Sequence, residues 1–180
     1  MPIWSNCPPA DKCGVSFTLR RTPQGRPLTC ISTSEDLIGC PTHFYRGRTT
    51  PCSGEGCPAC ADGLPWRWHA YLSCLEISTR EHFILELTAQ AAENLISYRT
   101  AHKTIRGCLI ELTRHKQRPN GRVILRCKPA DLNKVPLPPA PDLIKCMQNI
   151  WNLASSHVRE DGVARNQKRI RVTSPNGDEV

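Results

Sequence analysis

No apolar run in these 180 residues approaches the ~20 needed to span a bilayer. The opening stretch MPIWSNCPPADKC has neither the basic region nor the apolar core of a secretion signal. The expectation is a soluble, cytoplasmic chain whose thiols stay reduced. Catalytic signatures are missing as well. There is no Walker phosphate loop, no G-x-S-x-G, no H-E-x-x-H, and Glu35 and Asp36 stand in a plain polar loop. A zinc deaminase needs H-x-E followed by P-C-x-x-C. Neither His43-Phe44-Tyr45 nor His82-Phe83-Ile84 supplies that Glu, and Pro51-Cys52 leads into a four-residue gap. The chain is expected not to be an enzyme. Internal repeats are absent too, and this length suits one domain with appendages.

Acids are scarce where bases crowd. Across 101–130, Lys103, Arg106, Arg114, Lys116, Arg118, Arg122, Arg126 and Lys128 face only Glu111. That surplus of seven is nearly the whole net charge of +8. Over 61–100 the balance reverses, with three basic residues against five acids. Charge this localised favours a polyanion-binding surface, of which nucleic acid is the commonest partner.

Cysteine is plentiful, at eleven, an odd count that does not suit a disulfide framework. Cys74, Cys108 and Cys127 sit in apolar strand-like runs and read as small core residues. Cys7 and Cys13 form at most a weak half-site. The remaining signal is tight: Cys52-x4-Cys57-x2-Cys60, with Cys57-Pro58-Ala59-Cys60 in the form of a zinc knuckle. Structural zinc takes four ligands held tetrahedrally. The fourth is expected to be His43, with Cys40 as the alternative, since Cys40-Pro41-Thr42-His43 resembles a knuckle as well. Four saturated ligands leave no open position, so one structural zinc per chain is the expectation.

Around that cluster lie rings interleaved with cations. Phe44, Tyr45, Arg46 and Arg48 flank it on one side and WRWHAY (66–71) on the other. Single-stranded nucleic acid is held by cations along its backbone and by flat rings on which exposed bases stack. The expected contact residues are Tyr45, Arg46, Arg48, Trp66, Arg67, Trp68, Tyr71, Arg106, Arg114, Lys116, Arg122 and Arg126. Alternation puts Trp66, Trp68, Ala70, Leu72 and Cys74 on one face, where the two tryptophans read equally well as core. Arg67, His69, Tyr71 and Ser73 fall on the other. The pattern slips at 75–77, as a bulge would make it.

The coarse order is a 1–14 arm, then strands over 15–21, 27–33, 66–77 and 82–88. A helix over 89–101 capped by Thr88 follows, then strands over 107–115 and 121–128. Gly107 helps to turn the chain between helix and strand. The segment 40–65 is too rich in Gly, Pro and Cys to pack without a metal. Beyond it, 131–141 is a stiff Pro-rich connector. An amphipathic helix over 142–158 has Asp142 as cap and Leu143, Met147, Ile150, Trp151 and Ala154 on one face. That face either docks on the domain or serves a protein partner or self-association. A polar tail from 159 reads as disordered. The fold class expected is mainly β with minor α: an OB-fold-like five-stranded Greek-key barrel over 15–130, with the zinc module inserted at 40–65 and a C-terminal helix. A zinc ribbon joined to a β-sandwich, acting as an adaptor or accessory subunit in a nucleic-acid-processing complex, is the alternative.

In layout, residues 40–128 resemble the phage helix-destabilising proteins that coat single-stranded DNA. Those proteins carry a module of three Cys and one His inserted into an OB-fold, with basic and aromatic residues lining the cleft. The resemblance implies sequence-independent DNA binding, a structural zinc, His43 as fourth ligand, and a role in DNA replication or recombination.

Overall fold

The structure, a computed structural model, describes residues 17–115, 121–133 and 135–153. The expected N-terminal arm, the 116–120 turn and the tail lie outside them. Eight strands form one mixed sheet. They are β1 (Leu19–Arg21), β2 (Leu28–Ser32), β3 (Ile38–Tyr45), β4 (Arg48–Pro51), β5 (Arg67–Glu76), β6 (His82–Thr88), β7 (Cys108–Arg114) and β8 (Val123–Pro129). Three helices complete it: α1 (Pro58–Ala61), α2 (Ala89–His102) and α3 (Leu143–Ile150).

The sheet runs β1-β6-β5-β2-β7-β8, and β3 and β4 branch from it. Among the described strands only β1 is parallel to its neighbour; the other pairs are antiparallel. β5 is long enough to carry two partners on one edge. Its first residues pair with β3, from Thr42↔Arg67 to Ile38↔Tyr71, and its last pair with β2, from Ser32↔Cys74 to Cys30↔Glu76. On the other edge the β5–β6 register is unbroken from His69↔Thr88 to Leu75↔His82. No bulge interrupts that pairing, contrary to expectation. The slip in alternation has another cause: Leu72, Ser73, Cys74 and Leu75 are all buried, because both faces of β5 are covered there.

One cover is α2. Its Ala91, Ala92 and Leu95 close a core with Leu28, Cys30, Ala70, Leu72, Cys74, Phe83, Leu85, Ile110 and Leu112. Thr88 caps the helix by accepting from Ala91 N–H. Lys103 ends it in the left-handed region, and Gly107 at φ 77° turns the chain into β7. Cys74 and Cys108 are fully buried in this core and Cys127 packs against it. On the other face Ser73 is hydrogen-bonded by Thr33 and Ser34, and Tyr71 is covered by α3, capped by Asp142, whose carboxylate accepts from Lys145 N–H. Leu143 and Met147 pack on Tyr71 and Ile84, with Leu19, Ile38 and Cys40 alongside. The apolar stripe of α3 is thus used on the chain's own sheet. A recruiting role for this helix would require it to leave that site. Ala154, the last member of the expected stripe, lies outside the described residues.

The 40–65 segment is more ordered than its composition suggested. Residues 38–51 form the β3–β4 hairpin, paired Thr42↔Pro51 to Tyr45↔Arg48 and laid along β5. Its Pro41 has no N–H to give, but its carbonyl accepts from Cys52 N–H at 2.8 Å. Among the described residues no helix is long and apolar enough to cross a membrane.

Candidate metal centre and the groove beside it

Neighbours on a strand point to opposite faces, and β3 uses this to serve two sites. His43 turns one way and is only 1% exposed. Phe44 turns the other way and is 68% exposed.

On the first side, His43, Cys52, Cys57 and Cys60 bring their ligand atoms within 4.8 Å of one another. Cys60 Sγ lies 3.4 Å from His43 Nε2 and 3.6 Å from Cys52 Sγ. Sulfurs at ~2.3 Å and a nitrogen at ~2.0 Å from one tetrahedral centre would stand about 3.5–3.8 Å apart, close to this spacing. The local chain explains the convergence. Gly54 and Gly56, both at φ 76°, fold the gap between Cys52 and Cys57 into a tight loop closed by Cys57 N–H donating to Gly54 O at 3.1 Å. Cys57 precedes α1, whose first residue is Pro58, and the single helical turn returns Cys60 toward Cys57. The Cys57 thiol is drawn below its ordinary range, chiefly by the Cys60 backbone N–H, with those of Ser53 and Ala59 adding to it. The Cys60 thiol is pushed up, first by its contact with Cys52. Sulfurs this close repel once ionised, and a shared cation relieves that. The second His43 nitrogen, Nδ1, is buried without a hydrogen-bond partner among the described residues. The ring's one hydrogen bond among the described residues is that of Nε2 with Cys60 Sγ. Cys40 is not part of the group: it packs in the apolar cluster beneath α3.

On the second side, Phe44, Leu64 and Pro65 wall a cavity of about 530 Å³, a size usual for ligand sites. Thr42, Arg67, His69, Glu86 and Arg21 make its floor and rim. Arg67, His69 and Thr88 also line a second hollow of about 900 Å³, with Trp66, Trp68, Arg114 and Arg122. The two form one groove, running from the metal module to the β7–β8 end of the sheet. Trp66 is 59% exposed in it. Trp68 is half in the core and half in the groove, its indole laid over the Gly39 backbone. Arg114 is cationic but pinned: Nε donates to Thr22 O at 2.9 Å and Nη1 to Gly121 O at 3.3 Å. Arg67 and Arg122 make no ion pair among the described residues.

Of the expected contact residues, Trp66, Arg67, Trp68, Arg114 and Arg122 line the groove. Tyr71 does not. It is 1% exposed, beneath α3 and edge-on to Trp151 at 5.3 Å, so no base can stack on it. Arg106 is structural, donating to Thr33 O and to Pro138 O at 2.8 Å and facing Glu35 at 3.6 Å, which ties the Pro-rich connector to the β2–β3 loop. Arg126 stands opposite Glu111 on β7–β8, away from the groove lining. Arg46 stacks on Tyr45 at the hairpin tip, and Arg48 lines a different depression beside Trp151. Lys116 lies outside the described residues. Sequence reasoning had Phe44 beside the metal and His69 on the surface without assigning either a contact. It missed Arg21, Thr42, Leu64 and Glu86. The Arg21–Glu86 pair, at 2.7 Å, comes from the parallel β1–β6 pairing and had no sequence signal.

Comparison with family models, curated proteins and solved structures returns no match for this chain. Its function has to be read from the geometry.

Proposed function

We propose that this chain is a non-enzymatic protein that binds single-stranded nucleic acid, DNA first, along the groove beside a structural zinc. The observation that carries the reading is the placement of Phe44 and Trp66. They are large, exposed rings, Phe44 in one hollow and Trp66 in the adjoining one, with Arg67 and Arg122, which make no ion pair among the described residues, beside them. Stacking needs bases that are not paired, which favours single strands over duplex. The strand order β6-β5-β2-β7-β8, with α2 between β6 and β7, supports an OB-type arrangement. In that arrangement the metal module and the β7–β8 loop are the two loops flanking the binding face. Three thiolates and one imidazole at tetrahedral spacing suit zinc, and a filled ligand set gives it a structural role. Coating of strands exposed during replication or recombination in the cytoplasm is the setting that fits such a groove.

The test is fluorescence anisotropy with a labelled single strand, competed by unlabelled single strand, duplex and RNA. Trp66→Ala and Phe44→Ala should each weaken binding by ~1–3 kcal/mol while the protein stays folded. Rising salt should weaken it further, with a log–log slope of ~0.7 per phosphate neutralised. Duplex that competes as well as single strand, or variants that bind as tightly as the parent, would sink the reading.

A further inference from the structure

The groove is not chemically uniform. Toward Trp68, Arg114 and Arg122 it offers rings and cations, which meet stacked bases and phosphates of any sequence. Toward Phe44 its floor carries acceptors as well. Glu86 is one, although Arg21 occupies both its oxygens, from Nε at 2.7 Å and Nη2 at 3.4 Å. His69 is the other, and its hydrogen-bond partner determines its role.

Thr42 Oγ1 lies 3.1 Å from the Arg67 carbonyl oxygen and 2.5 Å from His69 Nδ1. A hydroxyl has one hydrogen, and a carbonyl can only accept. The hydrogen therefore goes to Arg67 O, and Oγ1 accepts from Nδ1–H. In the neutral ring that leaves Nε2 as a bare acceptor, with no hydrogen bond to it among the described residues. Burial, ahead of the Arg21 and Arg67 charges and against the pull of Glu86, holds this imidazole below its usual range, which keeps it neutral at pH 7.

We propose that the pocket between Phe44 and His69 takes one unstacked nucleobase and selects for an exocyclic amino group, which donates to His69 Nε2. Cytosine carries it at C4, adenine at C6 and guanine at C2. Thymine and uracil carry a carbonyl in its place, which would set two lone pairs against each other. To receive a carbonyl, the ring would have to move its proton to Nε2. Nδ1 would then compete with Arg67 O for the one Thr42 hydrogen. Phe44 and Leu64 supply the apolar wall that a flat ring needs. This selection rests on the nucleic-acid reading above and adds a base preference to it.

The probe is a short oligothymidylate carrying a single cytosine, compared with the all-thymidine strand. One neutral hydrogen bond should make the cytosine strand bind about threefold to tenfold more tightly. Replacing that cytosine by 2-pyrimidinone, which lacks the amino group, should remove the gain with the protein unaltered. His69→Ala should bring the ratio of the two affinities to one. Strands bound alike by the parent protein, or a preference that survives both changes, would overturn the selection and leave sequence-independent binding standing. Failure to bind any strand would remove both.

Discussion

The outer face of the sheet has two ends that share strands and differ in everything else. At one end, Tyr71, Ile84, Leu19 and Ile38 lie under α3, and β5 is buried on both sides. At the other, a few residues earlier on β5 and later on β6, Arg67, His69, Glu86 and Thr88 face an open groove. The covered end is held by apolar burial beneath α3, a helix that begins more than sixty residues after β5 ends. The open end leaves its large apolar groups, Phe44, Leu64 and Trp66, exposed. There a hairpin and a one-turn helix bring His43 and three thiols within reach of one metal ion. A single strand can thus pass from structural core to binding surface, provided each end has its own means of support.

Removing the proposed zinc should separate the two ends most completely. A small domain segment that relies on zinc loses its order with the ion, because binding free energy there is folding free energy. Chelation, or Cys57→Ser, should abolish amide protection in the β3–β4 hairpin and strand binding with it. Protection at Leu72 and Leu85 should persist, since α2 and the core around it hold them. Global unfolding on chelation would mean that the ends are not independent. Elemental analysis should find one zinc per chain.

The covered end should respond in the opposite sense. Tyr71→Ala removes a buried ring from beneath α3 and should cost about 3–5 kcal/mol in denaturant unfolding. The groove should keep its affinity at temperatures where the variant is folded. Tyr71→Phe is the companion. The hydroxyl is buried with no partner among the described residues, so its loss should be neutral or slightly stabilising. Weaker strand binding in folded Tyr71→Ala would break the division between the ends.

How much of this was legible in the sequence depends on the distance between partners. The ligand set lies within eighteen residues, and donor chemistry names it almost unaided. The strands of β2, β5, β6, β7 and β8 and the caps Thr88 and Asp142 are local signals, and they survive into the structure. The face of Tyr71 was read as exposed because period-two alternation reports one cover, and α3 supplies a second from outside the window. The basic run 101–130 was an uneven guide to the groove for a related reason: Arg114 and Arg122 line it, whereas Arg106 and Arg126 do not. Charge shows that a cation is present but not what it faces. Arg106 and Arg114 are held by backbone carbonyls brought to them by the fold. The hairpin was missed because Gly39 and Pro41 look like breakers until β5 is laid against them.

Gly39 offers the finest test, because it sits where the two ends meet. It pairs with Ala70, and the Trp68 indole lies across its backbone. A methyl placed on it would stand 2.0 Å from Trp68 Cζ2 and 2.4 Å from Cε2, far inside contact distance. A rigid ring packed against the core cannot absorb that by rotating a terminal bond; the whole indole has to shift. Overpacking of this kind costs about 1–3 kcal/mol, less than losing Tyr71 but measurable in denaturant unfolding. If Trp68 contributes a stacking surface, Gly39→Ala should also change strand affinity and the tryptophan quenching that accompanies it, although Gly39 touches no ligand. If Trp68 acts only as core, stability should fall and affinity should hold. We expect both to move, because this one indole belongs to the core on one side and to the groove on the other.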